Sequence, residues 1–245
     1  MAESAVVNPT VLVAAFDPWA RSAATMIAGV AGSAVTVLDV DTDQADRLLH
    51  DGASADLGVL IVSGLERDQA ELAHVQARLV AARSALEARY VAHLTIERDA
   101  GAIWVGPTVM PLRPGCDRCW QARRRQHVDA LSRGLAPAHP GTAAADHATV
   151  VSEFDLARLG AKAGLAVMRR VLGSPDTEAG VVRRFAPGGG SPSIGRVVAV
   201  SGCARCDRTL PLPAGWSLRR GAAAGVAMAD LREEVKYEQL SDNSR

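Results

Sequence analysis

The four cysteines of this chain are the residues whose type and spacing suggest the most specific chemistry. They fall in two Cys-x-x-Cys pairs, Cys116 and Cys119 in "PGCDRCW" and Cys203 and Cys206 in "SGCARCD". A Cys-x-x-Cys turn presents two sulfurs to one ion, and a tetrahedral zinc site needs two such turns brought together. Each pair follows a glycine, Gly115 or Gly202, which permits a tight knuckle. Each also carries an arginine, Arg118 or Arg205, and a nearby cation lowers a thiol pKa and favours the metal-binding thiolate. A redox device of thioredoxin type needs one such pair, not two similar ones, and buried cysteines without a ligand are the bland alternative. The favoured reading is one closed, structural zinc site made by Cys116, Cys119, Cys203 and Cys206. With four thiolates and no open position it would clamp a long crossover onto the rest of the fold rather than catalyse.

Other chemistry-bearing residues give weaker signals. Arg123, Arg124 and Arg125 fall where a helix should follow the first knuckle, and read equally as a docking surface for an acidic partner or as a solvated helix face. His127, His139 and His147 occur with Asp129 and Asp146 but lack tight ligand spacing, so loop histidines are expected. No serine or cysteine nucleophile can be assigned with a neighbouring base, and no catalytic residue is named. Trp104, Trp120 and Trp216 are expected to pack in the core or around the metal rather than to stack a ligand.

The whole composition restricts the partners. The 245 residues carry 27 basic and 27 acidic side chains, so no net field draws the chain to nucleic acid or an anionic membrane. At 48% hydrophobic, the chain can bury a core of its own. The start, "MAESAVVNPTVLVAAFDPWARS", lacks the pattern of a signal peptide, and no apolar run is long enough to span a bilayer. A cytoplasmic location follows as the expectation, and there reduced thiols favour metal over disulfide.

The elements that must position the cysteines alternate along the first hundred residues. "TVLVAAF" (Thr10–Phe16), "AVTVLDVD" (Ala34–Asp41) and "ADLGVLIVSG" (Ala55–Gly64) read as strands. Helices are expected over Pro18–Gly32, "QADRLLHDG" and Glu66–Arg89, the last with Arg67, Arg78, Arg83 and Arg89 on a solvated face. "YVAHLTIERDAGAIWVGPTV" reads as two strands joined by a turn at Asp99–Gly101. Near-continuous apolar strands alternating with helices predict an α/β, Rossmann-like fold, a mostly parallel sheet flanked by helices. From Cys116 to about His147 a helix start and then a loop are expected, followed by a helix over Ser152–Gly173 with Ser152 as N-cap. "GGGSPS" reads as a flexible turn and "IGRVVAVSGC" as the strand delivering the second pair. The expected organisation is a single domain over 1–245. It comprises a degenerate Rossmann half (1–105), a zinc-stapled half (106–210) and a C-terminal segment (211–245) with a partly disordered tail.

A Rossmann-type half followed by Cys-x-x-Cys, a helical insertion and a second Cys-x-x-Cys resembles the ThiF/MoeB and ubiquitin-activating superfamily. Within it the chain is most similar to the ThiF-like partner proteins of thiazole/oxazole-modified peptide clusters, also called bacteriocin-type cyclodehydratase partners or leader-peptide-binding proteins. The resemblance is carried by "AHLTIERDAGAIWVGPTVMPLRPGCDRCWQARR", sharp over His93 to Arg125, and by "SGCARC". It implies a non-catalytic partner that binds and stimulates a YcaO-type cyclodehydratase and its precursor peptide, with structural zinc as cofactor. A homodimer is also implied.

Two departures from that family shape the expectation. An adenylating member needs a glycine-rich turn after the first strand so that backbone amides can approach phosphate. This chain has "VAAFDPWARS" there, with Phe16, Pro18 and Trp19, and "IVSGLE" offers no aspartate at the strand tip for Mg²⁺. Asp39 or Asp41 stands where a ribose-binding carboxylate would be, but a solvated strand end is the favoured reading. Nucleotide activation is therefore expected to be lost, so no cofactor-binding residue is named. The alternative is an ATP-dependent adenylyltransferase of the ThiF/MoeB type acting on a sulfur-carrier or peptide C-terminus. The first strand begins near Val11, so the family's winged-helix recognition module is not expected, and a separate protein would bind the leader. A zinc-stabilised interaction module of unrelated pathway is the third reading.

Overall fold

The computed structural model describes residues 9–31, 35–39, 55–63, 69–99, 102–132, 151–187 and 191–206. Seven strands form one sheet: β1 (Val11–Ala15), β2 (Val35–Asp39), β3 (Leu57–Ser63), β4 (Ala92–Asp99), β5 (Ala102–Val105), β6 (Val181–Phe185) and β7 (Ser193–Arg196). Their spatial order is β2-β1-β3-β4-β5-β6-β7. β1 to β4 run parallel, β5 reverses, β6 returns to the common direction and β7 reverses again. The helices are α1 (Pro18–Ala31), α2 (Gln69–Ala88), α3 (Asp117–Ser132), α4 (Glu153–Gly173) and the short α5 (Pro175–Glu178).

Every residue of β1 and β3 is buried, as their unbroken apolar sequences require of strands covered on both faces. Side chains alternate across the sheet with period two. Val11, Val13 and Ala15, with Leu57, Val59 and Ile61, pack against α1 and α4. Leu12, Ala14 and Phe16, with Leu60 and Val62, pack against Val75, Leu79 and Leu86 of α2. Ser152 caps α4 by accepting a hydrogen bond from the backbone N–H of Asp155 at 3.1 Å. No helix among the described residues is long and apolar enough to cross a membrane.

The expected strands and long helices thus stand within a few residues of their observed limits. Three differences matter. β6, "VVRRF", was not anticipated because two arginines interrupt its apolar run. Arg183 is buried there by a bidentate pair with Glu178 at 2.6 and 2.9 Å, and Arg184 lies over the Trp104 ring. Strand structure in "IGRVVAVSGC" is confined to its start, and the chain from Val197 to Cys206 is irregular. Arg83 does not lie on a solvated face. It follows Leu79 by four residues and precedes Leu86 by three, which turns it inward. The short helix expected over "QADRLLHDG", most of the "GGG" turn, Asp41 and the C-terminal segment lie outside the described residues.

After β5 the chain crosses beneath the sheet toward the first cysteine pair. Val109 exchanges two backbone hydrogen bonds with His93, at 2.7 and 3.0 Å. Thr108 donates to the Val181 carbonyl and accepts from the Gly180 N–H. The segment is therefore wedged between β4 and β6, and it delivers Cys116 at a fixed height.

Candidate metal centre

The first knuckle is the entry to α3. Cys116 precedes the helix and Cys119 lies in its first turn, with the Trp120 N–H donating to the Cys116 carbonyl at 3.0 Å. The second knuckle follows β7, where the Cys203 N–H donates to the Val200 carbonyl at 3.1 Å. Gly115 and Gly202 have φ of +93° and +76°, the left-handed region that glycine enters without strain. A Cβ at Gly115 would stand 2.9 Å from the Val197 carbonyl, so glycine also lets the two knuckles approach.

All four sulfurs lie within 4.8 Å of one another. Cys116 Sγ is 3.7 Å from the sulfurs of Cys119 and Cys203, and Cys119 Sγ is 3.5 Å from that of Cys206. These separations are too long for a disulfide, whose S–S bond is about 2.05 Å. Zinc–sulfur bonds of about 2.3 Å in a tetrahedron place neighbouring sulfurs about 3.8 Å apart. The cage therefore has the size, the donor set and the ligand number of a closed thiolate metal site. Its walls are apolar: Val109, Val182 and Val197 pack on the buried Cys116 and Cys119, with Trp104 and Trp120 beside them. The Trp rings sit 5.4 Å apart at 52°, in the packing role expected of them, while Trp216 lies outside the described residues.

The thiols differ in electrostatics. Burial pushes the Cys116 and Cys119 thiols above their ordinary range. At Cys203 burial also opposes ionisation, but the backbone N–H groups of Cys206 and Arg205 and the neighbouring cysteines outweigh it, lowering the thiol to about 7. The expected help from arginine guanidinium groups is not what lowers it. Arg205 turns its side chain to Glu87 at 2.8 Å and to the carbonyls of Met110 and Arg113, both at 3.1 Å. It ties the second knuckle to α2 and to the crossing segment.

Behind the first knuckle lies a charged cluster that no sequence motif announces. Asp117 Oδ2 is 3.1 Å from Arg83 Nε and 3.5 Å from His93 Nε2, while Arg83 also donates to Thr95 Oγ1 at 3.0 Å. His93 is fully buried and Asp117 nearly so. The three side chains are close yet poorly aligned for hydrogen bonding, so attraction between the Arg83 and Asp117 charges carries the contact. The signal for Arg83 was its helical spacing; for His93 it was the alternation of polar residues His93, Thr95 and Glu97 along β4.

The arginines of α3 divide. Arg124 pairs with Glu97 at 2.7 Å and Asp99 at 3.0 Å and lies over Trp104, so it docks the helix on the β4–β5 hairpin. Arg123 bonds only the side chain of Gln126, and Arg125 is exposed. The side chain of His127 and all of His139 and His147 lie outside the described residues.

At the other candidate position, the β1–α1 turn is closed by Asp17. Its Oδ1 accepts from the Ala20 N–H at 2.8 Å and its Oδ2 from the Ser63 N–H at 2.6 Å. A buried carboxylate thus occupies the helix N-terminus that would face phosphate in a nucleotide-binding member. Asp39 ends β2, and Asp41 lies outside the described residues.

No family model matches the chain, and no curated protein matches it significantly. Solved structures similar to it include the heterocyclase TruD, at 16% identity and TM-score 0.40, covering 82% of this chain and 28% of that one. E. coli MccB with selenomethionine MccA gives 10% identity and TM-score 0.47 over 83% and 68% of the two chains. PaaA gives 9% identity and TM-score 0.39 over 78% and 74%. The chain spans just over a quarter of the heterocyclase's length.

Proposed function

We propose that this chain is a non-catalytic ThiF-like partner protein that binds and stimulates a YcaO-type cyclodehydratase and its precursor peptide, in the making of azole- or azoline-containing peptides. The observation that carries the reading is how the run from His93 to Arg125 is used. His93 pins the crossing segment, the segment delivers Cys116 and Cys119, and Arg124 fixes the helix that follows. The motif residues of the resemblance are thereby joined in one device that meets Cys203 and Cys206. In this reading the four cysteines hold one zinc ion, whose contribution is to draw two segments of chain together. The carboxylate of Asp17 at the α1 N-terminus favours a non-adenylating role over the adenylyltransferase alternative.

The direct test is co-purification with a YcaO-type cyclodehydratase from the same source, and measurement of heterocycle formation with and without this chain. Binding and a raised cyclisation rate are expected. A partner that neither binds nor changes the rate overturns the proposal.

A further inference from the structure

β7 ends the sheet, and all four of its residues, Ser193 to Arg196, are exposed. Its pairing with β6 is antiparallel, and the Val197 N–H donates to the Gly180 carbonyl at 2.8 Å. Antiparallel ladders alternate between bonded and non-bonded residues. Counting back from Val197, Gly195 and Ser193 bond to β6, whereas Ile194 and Arg196 turn their backbone N–H and C=O groups outward. Such an edge is a template for a further strand.

A groove of about 610 Å³ lies beside this edge. Val182 and Val197 line its floor, Trp104 and Trp120 one wall, and Gly195 leaves it open, since a Cβ there would meet nothing within 4 Å. Ile194 and Val198, 64% and 66% exposed, form an apolar rim. Two arginines border the groove, Arg123 on α3 and Arg196 on β7, and strand alternation sends the Arg196 side chain to the face opposite Gly195. Arg123 donates to Gln126 Oε1, and Arg196 to the Ala179 and Thr177 carbonyls at 2.6 and 2.9 Å. Both are served by neutral oxygens among the described residues, unlike Arg124, which has two carboxylates.

We infer that the β7 edge and the Trp104–Trp120 groove receive an extended, acidic segment of a partner chain. The segment adds as a strand beyond β7, places its apolar side chains over Gly195 between the tryptophans and Val197, and sets the carboxylates of its other face against Arg196. Backbone pairing supplies affinity, while the groove and this cation supply selectivity. The inference does not depend on which enzyme the chain serves.

The probe is a labelled synthetic peptide of alternating glutamate and valine, compared with its lysine-for-glutamate counterpart and with a version N-methylated at alternate residues. Binding to the full chain is followed by fluorescence anisotropy. The acidic peptide should bind saturably and more weakly as salt is raised, and the other two should not bind. Ile194→Pro removes an outward N–H that β6 does not use, and Arg196→Glu reverses the charge on the exposed face that meets the carboxylates. Each should weaken binding by about tenfold or more, with near-ultraviolet circular dichroism of the tryptophans unchanged. Equal binding of the lysine or N-methylated peptide, no binding of the acidic peptide, or full binding by the folded Ile194→Pro protein overturns the inference. No cyclodehydratase enters this experiment, so its failure is distinct from failure of the partner role.

Discussion

Cys119 and Cys206 stand 87 residues apart in the chain and 3.5 Å apart at their sulfurs. Four thiolates at such distances repel unless a cation neutralises them, so metal binding and folding of this region are one equilibrium. About one zinc ion per chain is expected by elemental analysis. Serine at any one of Cys116, Cys119, Cys203 or Cys206 should lower that content severely and melt the region, since such sites contribute on the order of 10 kcal/mol in small zinc peptides. Unchanged metal content and unchanged melting in Cys206→Ser would contradict this.

The unequal thiols give the metal-stripped protein a reactivity order. Cys203, lowered to about 7, is largely thiolate just above neutrality, whereas Cys116 and Cys119 are raised by burial. Iodoacetamide followed by mass spectrometry should therefore mark Cys203 first and Cys116 last. The sign for stability follows. A folded pKa below the ordinary 9.0 gives a contribution fully present above that value and lost as pH falls through about 7. In the metal-loaded protein all four cysteines resist alkylation, and acidification releases the ion because protons compete for the sulfurs. Preferential labelling of Cys116 would refute the order.

Arg83 and Asp117 form a buried ion pair beside His93, and neither can be deleted alone without penalty. Arg83→Met leaves Asp117 in apolar surroundings beside His93, and a loss of about 3–5 kcal/mol is expected from denaturant unfolding. Replacing both Arg83 and Asp117 by apolar residues should cost less than the sum of the two single changes, because no lone charge remains. Strict additivity would show that the groups do not interact.

Much of the site was legible because its determinants are local. Gly115 and Gly202 announce the knuckles by a residue type that only a positive φ requires, and each pair's spacing states its own geometry. That the two pairs meet was an inference from their similarity, and the sheet supplies the cause by putting β6 and β7 beside the crossing segment. What stayed hidden depends on neighbours distant in sequence. The Arg83 partner is in another helix, Arg183 of β6 is made compatible with burial only by Glu178, and Arg205 answers to Glu87 rather than to the sulfurs. A period or a propensity carries no such information.

Asp17 closes the β1–α1 turn at which a nucleotide would be bound. Its carboxylate accepts from two backbone N–H groups, one on α1 and one at the tip of β3, inside a buried environment. A phosphate approaching this turn would have to displace that carboxylate and leave it buried without donors. Millimolar Mg-ATP should therefore leave the melting temperature of the wild-type protein unchanged, since only a ligand that binds the folded state raises it. Asp17→Ala should destabilise by about 2 kcal/mol, through the lost cap and the lost bond from the Ser63 N–H. The variant should also show no ATP–pyrophosphate exchange, because the turn still lacks the glycines that let backbone N–H groups approach phosphate. A saturable thermal shift of the wild-type protein with ATP would reverse the assignment and restore the adenylyltransferase alternative.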